Sequence, residues 1–319
     1  MFKPAAVARD APAPGKADPL IIAGITITHP GKALFRDASG KVAATKLDLA
    51  RYLADVGPVM ARYAANRFIS LLRAPRGAEG QGFFQRHPQA GFTQYWKTGQ
   101  LADDDNHDAY LYFTDPRALV EAAQMDTLEF HIWGSQADHP DRPDRIVFDL
   151  DPAPEVGFAA VKQGALDVRT VLDALGLAAL PMLSGGKGIH VVVPVEPRND
   201  WPTVKRFSAD VATRLSTAEP DRYVATMAKT KRTGRIFIDH FRNDRTASAV
   251  APFSPRNRAG TPVAWPLTWD DLKDVGSASA VSMAQALQRL QSSGDPWQGY
   301  DEIKQSLTAK MIAAVAVKT

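Results

Sequence analysis

Arg145-Ile146-Val147-Phe148-Asp149-Leu150-Asp151 is the stretch on which the reading of this chain turns. An extended strand sends successive side chains to opposite faces. Ile146, Phe148 and Leu150 are therefore expected to face a core, while Asp149 and Asp151 share the other face where the apolar run stops before Pro152. Two neighbouring carboxylates repel each other unless something positive joins them. A divalent cation is the simplest such partner, because hard oxygen ligands suit magnesium or manganese. The alternative is a pair of solvated aspartates closing a strand.

Two later segments share this character. Arg235-Ile236-Phe237-Ile238-Asp239 is a second apolar run ending on an aspartate, with Phe237 and Asp239 expected on one face. Between the two lies Ser184-Gly185-Gly186-Lys187-Gly188-Ile189-His190, a glycine-rich turn entering a β-branched strand. Glycines let the backbone approach an anion, and serine, lysine and histidine add donors for phosphate oxygens. Alone it reads equally well as a tight turn before a strand, with His190 a half-buried strand residue. Together, three strand-end aspartates and a phosphate-type loop are what two-metal nucleotidyl transfer requires.

These motifs resemble the archaeo-eukaryotic primase superfamily and, within it, the polymerase domain of bacterial ATP-dependent DNA ligase D. The likeness continues in His29-Pro30-Gly31-Lys32, Thr45-Lys46, Phe83-Phe84-Gln85-Arg86-His87, Glu129-Phe130-His131-Ile132-Trp133, Ser254-Pro255-Arg256 and the segment from Pro262 to Trp269. The resemblance implies a template-directed nucleotidyltransferase that extends 3′ ends at breaks and gaps in DNA during non-homologous end joining. In that reading Asp149, Asp151 and Asp239 hold two manganese or magnesium ions. Ser184, Lys187, His190, Arg256 and His131 meet the incoming nucleoside triphosphate. Lys32 and Lys46 grip the 5′-phosphate at a recessed end, and Phe83, Phe84 and Arg232 meet the template. The family also implies a preference for ribonucleotides, a bacterial cytoplasmic and nucleoid-associated setting, and possible partnership with Ku and with ligase or phosphoesterase domains. A primase starting chains de novo and a non-catalytic end-binding module are the alternatives. Three clustered carboxylates would repel DNA and so count against a pure binder.

Composition narrows the field independently. A chain of 319 residues exceeds the usual single-core size, so two closely packed lobes around a cleft are expected. Neither a membrane-length apolar run nor a signal-peptide pattern is present, pointing to the cytosol and no membrane partner. The absence of cysteine excludes disulfides, thiolate metal sites and cysteine nucleophiles. Net charge is +3, but residues 198–258 hold 13 Lys/Arg against 6 Asp/Glu, or +7, leaving −4 for the rest. A local basic surface follows, with Lys229-Thr230-Lys231-Arg232 the segment expected to meet nucleic acid and Trp201 and Phe207 assigned to the core.

Residues 1–19, rich in alanine and proline, read as a flexible lead-in or linker, 20–300 as the primase-like polymerase domain, and 301–319 as a tail or helix. Thr45 is expected to cap a helix that stops or kinks at Gly57-Pro58, with a second helical stretch to about Ala65. Lys46 would then stand at a helix N-terminus, where free N–H groups would add to a phosphate site. Of the adjacent Phe83 and Phe84, only one is expected to point inward. Asp103-Asp104-Asp105 reads as a solvated turn. Further helices are expected over 116–124, 158–175, 203–216 and 280–291, alternating with short strands. The predicted class is mixed α/β (α+β), and the resemblance adds largely antiparallel pairing around a central cleft. No Lys-x-Asp-Gly element for covalent adenylation occurs, so strand sealing is not expected of this chain.

Overall fold

A computed structural model of the chain describes residues 20–77, 80–102 and 108–317. The lead-in of residues 1–19 and the Asp103-Asp104-Asp105 run lie outside the described residues. Two hairpins come first, β1 (Leu20–Ile22) with β2 (Ile25–Ile27) and β3 (Ala33–Arg36) with β4 (Val42–Thr45), leading into α1 (Lys46–Ala64). Then follow β5 (Ile69–Arg73), β6 (Phe83–Gln85), the hairpin of β7 (Trp96–Gln100) and β8 (Ala109–Phe113), α2 (Arg117–Gln124) and β9 (Thr127–Trp133). The second half carries β10 (Arg145–Pro152), α3 (Phe158–Ala174), β11 (Leu180–Leu183), β12 (Ile189–Pro194), α4 (Trp201–Ala218) and β13 (Tyr223–Val224). It closes with β14 (Ile236–Asp239), β15 (Ser248–Val250), β16 (Trp265–Pro266), α5 (Met283–Ser293) and α6 (Ala309–Val315).

Two sheets organise these elements. The larger runs β13-β14-β10-β12-β11-β16 and the smaller β15-β9-β5-β6. Every pairing in them is antiparallel except β13 beside β14, so the chain adopts the expected mixed α/β class. Strands β10 and β11, joined through α3, both run antiparallel to β12 between them. The strand-helix-strand unit is therefore split by the strand that leaves the glycine loop. One continuous hydrophobic core reaches from α1 and the smaller sheet to α3, α4 and the larger one, and a satellite of Phe68, Leu101 and Trp133 lies beside it.

Periodicity locates most helices well. Val161, Ala165, Val168 and Leu172 form the buried stripe of α3, which ends before Gly176 at φ +76°. Helix α4 is capped by Asp200, whose carboxylate accepts from Thr203 N–H at 3.0 Å, and it buries Trp201 and Phe207 as expected. Helix α5 starts later than residue 280, because Ser282 and Gln285 form a capping box that fixes its first turn.

Helix α1 departs from expectation: it runs unbroken through Gly57 and Pro58. An interior proline costs about 3 kcal/mol. Leu49, Leu53, Val56 and Met60 are each 0 % exposed, and burying one such side chain contributes about 1.5–3 kcal/mol, so tertiary packing overrides the break. Gly57 serves that packing, since a Cβ there would sit 3.4 Å from Cβ of Pro116 at the start of α2.

Candidate catalytic cleft

Register in the larger sheet builds the centre of the site. Asp149 on β10 lies directly opposite His190 on β12 and, on its other side, directly opposite Asp239 on β14. Directly paired residues share a face, so Asp239, Asp149 and His190 form one row across three strands. Asp151, two residues on, lies on that same face, while Ile146, Phe148 and Leu150 are each 0 % exposed on the opposite one.

The carboxylates already have basic side chains beside them. His190 Nε2 stands 3.3 Å from Asp149 Oδ1. Arg242 Nε lies 3.2 Å from Asp239 Oδ2 and 3.7 Å from Asp149 Oδ2, reaching both acids at once. Asp151 faces Arg232, 3.6 Å away. Burial pushes the Asp149 carboxyl up, but His190, Arg242 and Arg256 outweigh it and hold it down at about 2. For Asp239 burial dominates and Asp149 adds to it, so its carboxyl is raised despite Arg242. Asp151 is raised by burial and then by Asp149, against Arg232 and Lys187.

A second network flanks this row. Glu129 on β9 binds His131 Nε2 at 2.8 Å, Arg256 Nε at 3.0 Å and the Asn257 N–H at 2.8 Å. These partners overcome the upward push of burial and hold its carboxyl at about 2, whereas burial lowers His131. Arg256 also donates to the carbonyl of Ser184. The pair Glu129–Arg256 thereby ties the smaller sheet to the glycine loop. His131, Asp149, His190, Arg242 and Arg256 line a cavity of about 80 Å³ together with Ser248, Ala249 and Val250. On the Asp151 side, a cleft of about 390 Å³ is lined by Lys187, Lys229 and Arg232 among others, with the Arg232 guanidinium 3.7 Å above the Phe237 ring.

The glycine loop is folded on itself more than its sequence implies. Ser184 Oγ accepts from Gly186 N–H and Gly188 N–H, both at 3.2 Å, so these two donors are used within the turn. Gly188 passes so close to β10 that a Cβ would meet the Leu150 carbonyl oxygen at 2.1 Å. Lys187 remains exposed.

Elsewhere the structure corrects particular expectations. Phe83 and Phe84 are both exposed, at 43 % and 54 %, because β6 is the edge strand of the smaller sheet. Phe84 packs edge-on to His131, with ring centroids 5.2 Å apart, which joins this aromatic pair to the cavity. Lys46 does stand at the start of α1 but is buried, and Asp126 bridges it (2.8 Å) to Lys32 (2.6 Å). The N–H groups expected to be free at the start of α1 are taken: Lys46 N–H donates to Lys32 O, Leu47 N–H to Pro30 O and Asp48 N–H to Thr45 Oγ1. A capping box and the loop at residues 30–32 leave no backbone donor of that first turn for an anion. From Thr127 to His131 the lysine pair and the cavity are linked by β9, about 13 Å of strand.

Comparison with known proteins decides the family. Residues 45–297 match the family model described as LigD, primase-polymerase domain. The chain belongs to that family. Its relatives include the multifunctional non-homologous end joining protein LigD of Pseudomonas aeruginosa, 36 % identical over 295 residues, covering 91 % of this chain and 34 % of that protein. The corresponding DNA repair protein LigD of Mycobacterium tuberculosis is 31 % identical over 279 residues, covering 85 % and 36 %. This LigD-type primase-polymerase domain thus spans about a third of the length of the relatives it matches. Among solved structures, the polymerase domain of Mycobacterium tuberculosis ligase D in complex with DNA superposes with a TM-score of 0.79 at 29 % identity, covering 87 % of this chain and 98 % of that one. No helix among the described residues is long and apolar enough to cross a membrane.

Sequence reasoning missed three residues, two in the cleft and one at the lysine pair. Arg242 follows Asp239 by three positions, a spacing with no meaning until the turn after β14 is known. Glu129 belongs to a recognised motif, yet nothing local shows that Arg256 would reach it. Asp126 stands alone in sequence at φ +60° and becomes significant only between two lysines from other elements.

Proposed function

We propose that this chain is a template-directed nucleotidyltransferase that extends 3′ ends at breaks and gaps in DNA within non-homologous end joining. The reading is carried by one observation: Asp149 and Asp239 face each other across β10 and β14, with Asp151 beside them, between two basic cavities. Membership of the LigD primase-polymerase family supports this reaction class. Asp149, Asp151 and Asp239 are the oxygen donors that suit manganese or magnesium, and the Arg242 guanidinium between two of them is a stand-in positive charge. As the side chains stand, no three His, Asp or Glu among the described residues form a ready-made metal-holding group. Bound there, two ions would activate the primer hydroxyl and stabilise the leaving pyrophosphate.

The chain's own residues have separate duties in this reading. His190 holds the Asp149 carboxylate in its row, and Arg256, fixed by Glu129, offers its positive charge to the triphosphate beside Lys187 and Ser184. His131 lines the nucleotide cavity. Exposed Phe83 and Phe84 give bases a stacking surface worth about 1–3 kcal/mol per base, and Arg232 guides the template past Asp151. Lys32 and Lys46 receive the 5′-phosphate, exchanging Asp126 for a phosphate oxygen. Ribonucleotide preference, and recruitment by Ku alongside ligase or phosphoesterase domains, extend the same proposal.

Primer extension on gapped DNA tests it, comparing 5′-phosphate with 5′-hydroxyl ends and ribonucleotides with deoxyribonucleotides. Extension should require template and a divalent ion and should be favoured by the 5′-phosphate and by ribonucleotides. Asp239→Ala should lose extension by at least about a thousandfold while DNA affinity, read by fluorescence anisotropy, stays within about threefold. Retained extension by Asp239→Ala in manganese would overturn the assignment.

A further inference from the structure

The turn after β14 is built with unusual care for a surface loop. Asn243 is 1 % exposed, and its side chain both accepts from Val147 N–H and donates to Val147 O, each at 2.7 Å. It thereby continues the β14–β10 ladder past the point where the backbone leaves it. Phe241 N–H donates to Asp239 Oδ1 at 2.9 Å, and Asn243 N–H to His240 O at 3.1 Å. Arg242 is held between these two anchors, with its side chain 43 % exposed on the cavity side and its Nε on both Asp239 and Asp149.

We propose that Arg242 is a built-in counter-ion of the catalytic carboxylates, which holds Asp149 and Asp239 together until a divalent ion displaces its guanidinium into the cavity it shares with His131, His190 and Arg256. The inference rests on the metal assignment of the preceding subsection. Without a positive charge, Asp149 and Asp239, opposite each other in register, would repel at close range. A guanidinium relieves this reversibly because it lies on an exposed turn, and it needs no protonation change to do so. An arriving divalent ion brings more charge to the same oxygens and releases the arginine beside Arg256, where anionic phosphate is expected. The same device makes metal binding weaker than the bare carboxylates would allow, because the ion meets a like charge that must move.

Manganese binding to the full chain, followed by the electron paramagnetic resonance signal of free Mn²⁺ without nucleotide or DNA, tests the proposal. Arg242→Gln should bind manganese at least about tenfold more tightly than the wild type, since a nearby like charge has been removed. Arg242→Lys, which keeps the charge, should stay within about threefold. Without metal, Arg242→Gln should melt lower than the wild type, and saturating manganese should close that gap. Asp239→Asn serves as the control on the underlying assignment and should weaken manganese binding in both the wild-type and Arg242→Gln backgrounds. If Asp239→Asn leaves manganese binding untouched, the metal reading itself fails and this inference with it. If Asp239→Asn weakens it while Arg242→Gln binds manganese no better than the wild type, the counter-ion role alone is overturned.

Discussion

Glu129 is an acid kept charged inside the protein, and the reason is particular: an imidazole, a guanidinium and a backbone N–H converge on its two oxygens. Its carboxyl is held near 2 instead of the ordinary 4.5. A depressed carboxylate contributes stability that is complete above its ordinary value and disappears as pH falls from about 4.5 towards 2. Glu129→Gln should therefore lose on the order of 3 kcal/mol at neutral pH, and the difference from the wild type should shrink to nothing across that acid window. Asp151 and Asp239 carry the opposite sign, because their raised carboxyls gain from protonation on folding; comparing the two proteins at each pH cancels them. Urea titrations at several pH values measure this. A pH-independent difference would show that Glu129 acts by packing alone.

At the scale of elements, the glycine loop is seated directly against β10. Gly188 lies against the backbone of Leu150, the residue between Asp149 and Asp151, and no side chain fits there. Gly188→Ala must lift the loop from the strand. A loss of at least about 2 kcal/mol in stability and of nucleotide affinity is expected, the cost of overpacking a tight backbone contact. Gly186→Ala provides the comparison, because its Cβ would meet only the Arg258 side chain at 3.3 Å, which can shift, and Ser184 Oγ at an ordinary contact distance of 3.4 Å. Equal thermal melting of the two variants would refute this account. The same scale explains Phe83 and Phe84. Alternation along a strand says that one of two neighbours points inward, but an edge strand with both faces open buries neither.

Across the whole molecule, a clasp joins the end of α1 to the segment of residues 295–301. Trp297, 1 % exposed, meets Tyr63 of α1 edge-on with centroids 5.7 Å apart and stacks on Tyr300, and its Nε1 donates to Leu267 O at 3.1 Å. Arg62 and Tyr63 both hold Asp295. Because Trp297 belongs to the same core as β10 and β12, Trp297→Ala should cost about 3–5 kcal/mol in chemical denaturation and do so in a single transition shared with the cleft. A separate early transition that spared nucleotide binding would show that the clasp is an independent unit. Asp149, Asp151, Asp239 and the glycine loop were legible in the sequence because strand periodicity, a run's end and a glycine's freedom are local properties of the chain. So were the stripes of α3 and α4. The unbroken α1, the burial of Lys46 and the placement of Arg242, Glu129 and Asp126 were decided only by the tertiary structure. Each depends on a partner distant in sequence: packing that outweighs a proline, a carboxylate shared by two lysines, or a guanidinium between acids on neighbouring strands. Local propensity fixes which face a residue takes, whereas the energy of a charge pair or a buried helix is set by what the fold brings against it.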